Sequence, residues 1–163
     1  MMTNSPIKPL IEKSVYILRE AKVNLKNLCA LWSTGKDSTV GAIALANEAF
    51  FGEIPYPIVH LDTGYKFPEI YEFRQRMADK FGFELIVVKH EMAGKLDPKA
   101  GRLECCNKLK TETLKKAIYE YGFDGVIVSI RRDEHGVRNK ERYISPRNKY
   151  FRWSVVEAKR GGG

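Results

Sequence analysis

Apolar positions in this chain recur with two different periods, and the switches between them mark out short strands and helices. Near the N-terminus Ile11, Val15, Leu18 and Leu25 keep a helical spacing, which predicts an amphipathic helix. Residues 28–32 are a compact apolar run of strand length, and residues 39–51, rich in Ala and Leu, follow as a helix. A second strand is predicted over 56–61, opened by Pro55 and Pro57. A helix over 67–81 follows, with Pro68 tolerated in its first turn. Residues 84–89 form the third strand and lead into a loop holding Gly94, Pro98 and Gly101. A helix over 111–121 follows, with Gly122 as its C-cap, and then a fourth strand over 124–129.

Short apolar strands alternating with helices predict an α/β fold, a doubly wound and mainly parallel sheet with helices on both faces. Residues 1–26 read as an N-terminal helical segment, 27–155 as the sheet domain, and 156–163 as a Gly-rich tail that looks like a truncation point. In such sheets ligands bind beyond the carboxyl ends of the strands. Three chemically loaded segments stand at equivalent places: Ser33 to Ser38 after the first strand, Asp62 to Lys66 after the second, and Arg131 to Glu134 after the fourth.

The first segment builds an anion site. Loop N–H groups and the first unpaired donors of a helix converge where the helix dipole also favours negative charge. Gly35 is expected to allow the turn and a close backbone approach. Ser33 and Ser38 bring hydroxyls, and Lys36 brings a point charge suited to phosphate. The spacing of a Walker A motif is absent. A plain strand-to-helix turn capped by Ser33 is the competing reading.

Composition narrows the class. At 163 residues, 44% hydrophobic and 29% charged, the chain has the size and balance of one globular domain. No apolar run approaches the roughly 20 residues of a membrane span, and the N-terminus lacks a signal-peptide core. Three cysteines, two of them adjacent, argue against a disulfide framework and for a reducing, cytoplasmic setting. The net charge of +8 is uneven, because residues 131–163 carry ten Lys/Arg against four Asp/Glu. That basic stretch, with Tyr143, Tyr150, Phe151 and Trp153 interleaved, keeps a nucleotide- or nucleic-acid-binding module in view, with nucleic acid disfavoured.

The motifs together resemble a known family. Ser-Thr-Gly-Lys-Asp-Ser (33–38) is similar to the pyrophosphate loop, or PP-loop, of the N-type ATP pyrophosphatases. His-Leu-Asp-Thr-Gly-Tyr-Lys-Phe-Pro-Glu (60–69), Leu-Lys-Thr (109–111), Tyr-Gly-Phe-Asp (121–124) and the run from Arg131 to Arg147 resemble the small subunits of heterodimeric bacterial ATP sulfurylase, sulfate adenylyltransferase subunit 2. They also resemble the related phosphoadenylyl-sulfate reductases. The resemblance implies an adenine nucleotide alpha hydrolase-like fold and adenylyl transfer from ATP to sulfate, giving adenylyl sulfate and pyrophosphate. It implies that Ser33, Thr34, Gly35, Lys36, Asp37 and Ser38 cradle the β,γ-pyrophosphate, and that His60, Asp62 and Thr63 line the nucleotide pocket. Arg131 and Arg132 would face the α-phosphate or the incoming oxyanion, with Arg138 and Arg142 adding positive charge. Catalysis would rest on Lys36, Arg131 and Arg132, and Mg²⁺ on the triphosphate would take Asp37 or Asp62. The implied partners are ATP, a small oxyanion and a large GTPase subunit; a homo-oligomer is compatible.

Plain structural readings stand beside these. Asp62 can cap its own turn, His60 can be a packed histidine, and Arg131 and Arg132 can pair with Asp133 and Glu134. Arg138 and Arg142 can lie on a solvated basic face. The alternative chemistry is a thiol-dependent reductase of adenylyl sulfate or its 3′-phosphorylated form. A four-iron cluster takes four thiolates, so the three cysteines exclude a complete one within this chain, and no cysteine follows Cys106. Two features depart from the sulfurylase pattern. Ser129-Ile130 replaces two very small residues before the arginine pair, and the chain ends soon after Trp153, where the family continues.

Overall fold

The computed structural model describes residues 5–95, 102–131, 133, 136 and 141–152, with the side chains of 102–108 left aside. It divides into two compact units, residues 1–129 and residues 130–163. In the first unit the elements run α1 (Lys8–Asn24), β1 (Leu28–Leu31), α2 (Lys36–Thr39), a π-helical turn (Val40–Ala44), α3 (Leu45–Ala49), β2 (Ile58–Asp62), α4 (Pro68–Phe81), β3 (Leu85–Lys89), α5 (Arg102–Tyr121) and β4 (Gly125–Ile127). All four strands are parallel, in the order β3-β2-β1-β4.

That order follows from burial. Alternate residues of β1 point to opposite faces of the sheet. Leu28, Ala30 and Trp32 join Ile43, Ala46, Ile58 and Phe83 in one core, with Leu18 of α1 and Ala78 of α4. Cys29 joins Val59, Val88, Ala117 and Phe123 in a second core on the α5 side. Both faces are therefore covered, as the continuous apolar runs predict. The chain moves outward from β1 to β3 and then returns to place β4 on the other side of β1. The strand order reverses between β1 and β4, which is where parallel sheets leave a ligand crevice.

Two boundaries differ from the periodicity. α5 starts at Arg102, nine residues before the expected start. Its inward stripe is Leu109, Thr113 and Ala117, all buried. The Thr113 hydroxyl is satisfied inside the helix by donating to the Leu109 carbonyl at 2.6 Å. The helix after β1 starts at Lys36 and runs to Ala49 through the π turn, an extra residue per turn that is common beside functional sites. Gly122 follows α5 with φ +66°, as its position predicts. Asp124 then accepts the Lys26 and Asn27 N–H groups, each at 2.9 Å, and seats β4 against the start of β1.

Gly41 lies in the π turn and faces the residue where the crevice opens. A Cβ there would stand 2.9 Å from the Ser129 Cβ and overlap the Ser129 hydroxyl. The helix can lie this close to the end of β4 only because Gly41 has no side chain. Gly41→Ala should cost about 1–3 kcal/mol through overpacking, and Ser129→Gly in the same chain should recover most of it. Urea unfolding of the two single variants and the double variant measures the coupling; independent, additive losses would contradict the contact.

In the second unit Asn148 organises a tight turn, its side-chain oxygen accepting the Tyr150 and Arg152 N–H groups at 2.9 and 3.1 Å. Arg147 donates to Glu141 at 2.7 Å, and Arg142 donates its backbone N–H to the Ser145 hydroxyl at 3.0 Å.

Candidate functional site

The loop after β1 is held from within by hydroxyls. The Ser33 N–H donates to Ser38 Oγ at 3.2 Å, the two hydroxyl oxygens lie 2.9 Å apart, and Thr39 Oγ1 donates to the Gly35 carbonyl at 2.7 Å. Gly35 occupies the N-cap position with no side-chain cap on the helix, so Ser33 does not cap it. The left-handed residue of the turn is Thr34, at φ +67°, while Gly35 has an ordinary φ of −74°. Gly35 therefore serves by close approach: a Cβ there would meet Ser33 Oγ at 3.3 Å. The expected turn role falls on Thr34, a non-glycine residue in a sparsely populated region.

Lys36 and Asp37 are partners here. The Lys36 Nζ lies 2.8 and 2.9 Å from the two Asp37 carboxylate oxygens, with 81% and 46% of the side chains exposed. An exposed pair of this kind is worth at most about 1 kcal/mol, so an anion can take the ammonium at little cost.

Trp32 joins this loop to the second strand. Its ring is buried in an aromatic cluster, with the Phe83 and Phe73 centroids at 5.8 and 5.9 Å. Its indole N–H donates to Thr39 Oγ1 at 2.8 Å, and its carbonyl lies 3.0 Å from His60 Nδ1. His60 is wholly buried, and its Nε2 lies 2.9 Å from Lys66 Nζ. A carbonyl only accepts, so the His60 proton sits on Nδ1 and the Nε2 lone pair accepts from Lys66. Burial, with the Lys66 and Arg74 charges, pushes the imidazole down to about 4. His60 is neutral and packed, which is the plain reading.

Asp62 is also buried, at 2% exposure. Its Oδ1 accepts the Gly64 N–H at 2.9 Å and the Tyr71 hydroxyl at 3.1 Å, so the carboxylate does cap its own turn. Its Oδ2 has no hydrogen-bond partner but faces Lys89 at 3.7 Å and Arg74 at 4.0 Å. Burial alone would raise this carboxyl; the Gly64 and Tyr71 hydrogen bonds and the Lys89 charge outweigh it and hold it below the usual range. Thr63, next in the chain, is 9% exposed. Sequence reasoning missed Tyr71, Arg74, Lys66 and Lys89. The available signal was the i, i+3 spacing of Tyr71 and Arg74, which turns both towards Asp62.

Mg²⁺ on a triphosphate takes one or two carboxylates with the phosphates. Asp37 fits, being exposed and next to the loop. Asp62 fits poorly, because both of its oxygens are already engaged by donors and cations. Among the described residues no cluster of three His, Cys, Asp or Glu is gathered. Arg131 pairs with Asp133 on the surface of the second unit, its Nε donating to Oδ1 at 3.1 Å. Arg142 is exposed. Arg132 and Arg138 lie outside the described residues, as do the side chains of Cys105 and Cys106 and the tail over 156–163. Cys29 is buried in β1 and its thiol is pushed up to about 12, so it is no nucleophile.

A parallel sheet in this order, with a hydroxyl-laced Gly-Lys loop beside the strand reversal, defines an α/β domain of the adenine nucleotide alpha hydrolase-like kind. The chain belongs to the phosphoadenosine phosphosulfate reductase domain family, whose pattern matches residues 27–154. Sulfate adenylyltransferase subunit 2 of Serratia proteamaculans is 42% identical over 151 residues, covering 90% of this chain and 50% of that protein. The chain thus spans about half the length of the curated relatives it matches. Two solved structures share the fold. Phosphoadenylyl-sulfate reductase from Candida auris, a phosphate complex, has TM-score 0.58 at 19% identity, covering 82% of this chain and 71% of that one. The NH3-dependent NAD synthetase of Campylobacter jejuni, in complex with nitrate, has TM-score 0.58 at 14% identity, covering 80% and 59%. No helix among the described residues is long and apolar enough to cross a membrane.

The buried neutral His60 makes stability depend on pH. Its folded pKa of about 4 lies below the ordinary 6.5, so the unfolded chain takes up a proton first as pH falls. Stability should therefore decline between pH 6.5 and 4, by about 3 kcal/mol in all from this group. His60→Gln should flatten that decline when urea unfolding is followed from pH 7 to 4.5. An unchanged slope would contradict the assignment.

Proposed function

We propose that this chain binds ATP at the 33–38 loop and transfers its adenylyl group to sulfate, releasing pyrophosphate. The observation that carries the proposal is the pairing of that loop with the β1/β4 reversal, in a chain 42% identical to sulfate adenylyltransferase subunit 2. A sulfate oxygen attacks the α-phosphorus, the bond from α-phosphorus to the bridging oxygen breaks, and pyrophosphate leaves. Two anions must meet, so the protein's part is positioning and charge neutralisation.

The roles follow the resemblance. Ser33, Thr34, Gly35, Lys36, Asp37 and Ser38 cradle the β,γ-phosphates through hydroxyls, loop N–H groups and the Lys36 ammonium. His60, Asp62 and Thr63 form the pocket wall at the end of β2. Arg131 and Arg132 take the α-phosphate or the sulfate, and Arg142 and Arg138 add positive charge. Asp37 would help hold Mg²⁺ on the triphosphate, and the ion would supply charge neutralisation for the leaving pyrophosphate. Solved relatives of this fold hold phosphate or nitrate, which supports an oxyanion-binding scaffold. The subunit naming of the relatives supports a large partner subunit, the GTPase of the resemblance, and a cytoplasmic setting goes with that reading.

The test is pyrophosphate release from Mg-ATP, with and without sulfate, for the chain alone and with a large subunit of sulfate adenylyltransferase added. Sulfate-dependent release is expected, with Lys36→Met lowering it about 100-fold. Release indifferent to sulfate, or thiol-dependent sulfite production from adenylyl sulfate, would overturn the reading.

A further inference from the structure

The turn after β2 folds back onto the strand it leaves. Asp62 caps it through the Gly64 N–H, and Gly64 stands at φ +77° with room for no Cβ, which would lie 2.6 Å from the Gly94 nitrogen. The Tyr71 hydroxyl fastens the same turn, bonding both to Asp62 and to the Lys66 main chain. The result returns the Lys66 side chain to His60 on β2. His60 in turn holds the carbonyl of Trp32, the residue immediately before the loop at Ser33. The Lys66 ammonium therefore lies within one imidazole and two hydrogen bonds of the root of the 33–38 loop.

The Asp62 charge favours the Lys66 ammonium here, but that ammonium hydrogen-bonds His60. A lysine loses rotamer freedom when it is fixed, and a neutral imidazole is a weaker partner than a carboxylate. Ammonium has three donors and His60 accepts one, which leaves two for another acceptor. The surrounding charge is in excess of positive. Arg74 from α4 and Lys110 from α5 oppose Lys66, Lys89 from β3 faces Asp62, and Asp62 is the carboxylate among them. The Nε and Nη1 of Arg74 are buried without a hydrogen-bond partner.

We propose that Lys66 is a second oxyanion-binding cation beside the 33–38 loop, and that His60 is its positioning residue, holding the ammonium towards an anion at the ends of β1 and β2. The ligand chemistry is a phosphate or sulfate group, from the nucleotide or from the acceptor. Burial, partly offset by the Asp62 charge and reinforced by Lys110 and Arg74, lowers the Lys66 ammonium to about 8, so a bound anion would raise it again. The proposal rests on the nucleotide reading of the loop.

The test uses the full chain and calorimetric titration with inorganic pyrophosphate, Mg-ATP and sodium sulfate. Lys66→Met removes a half-buried charge and should keep the fold, which its melting temperature verifies. It should weaken binding about 10- to 100-fold, as expected for a charge-assisted hydrogen bond. Loss on pyrophosphate and Mg-ATP places Lys66 on the phosphate chain, and loss on sulfate alone places it on the acceptor; either supports the site. His60→Asn keeps a donor for the Trp32 carbonyl but cannot reach Lys66, so it should reproduce most of the Lys66→Met loss and add little to it in the double variant. In the wild type the Lys66 Cε resonance should titrate near pH 8 and shift its midpoint upward with saturating pyrophosphate. Unchanged affinities in Lys66→Met, additive losses in the double variant, or an immovable midpoint would overturn the proposal. If Lys36→Met still loses binding in that event, the loop reading stands without Lys66. A wild type that binds none of the three anions would overturn both.

Discussion

The last aromatic residue before the loop carries the organisation of this site. Trp32 is buried to 1% exposure, which on the order of 5 kcal/mol of apolar burial holds in place. Its indole N–H reaches Thr39 at the start of the loop helix, and its carbonyl meets His60 on the neighbouring strand. Thr39 passes the constraint to the Gly35 carbonyl. The backbone of an otherwise exposed loop is thereby tied to the hydrophobic core at both ends. An anion site built from main-chain donors needs that preorganisation, because a loose loop would have to be ordered by each ligand.

Charge is arranged on the same principle. Asp62 is the carboxylate that the described residues bury, and it gathers Tyr71, Arg74, Lys89 and its own turn around it. Breaking such a buried centre by removing one partner is costly, since it strands a charge. Asp62 thus fixes the turn at the end of β2. The exposed Lys36–Asp37 pair is the opposite case, weak and solvent-screened, and so free to open for a ligand.

Most of the architecture could be read from the sequence, because the strands alternate or run apolar and the helices between them keep their period. The start of α5 escaped because residues 102–108, Arg-Leu-Glu-Cys-Cys-Asn-Lys, carry no apolar stripe at helical spacing. The loop was legible as a hydroxyl-rich turn between strand and helix, but the left-handed residue was not: the fold assigns it to Thr34 and gives Gly35 the close approach. Asp62 and His60 were legible as positions near the strand end. What each touches depends on Tyr71, Arg74 and Lys66, whose meeting is set by the turn geometry and not by local pattern. The closeness of Gly41 to Ser129 is likewise a contact between segments far apart in sequence, 41 and 129, that only the sheet order brings together.

The central claim is that the 33–38 loop, fixed through Trp32, receives the phosphate end of a nucleotide. Amide chemical shifts of the isotopically labelled chain, titrated with Mg-ATP, test it most directly. The account predicts the largest shifts at the N–H groups of residues 33–39, with smaller ones at the Trp32 indole and around residues 60–66. Shifts confined to other parts of the chain, with residues 33–39 unmoved at saturation, would contradict it.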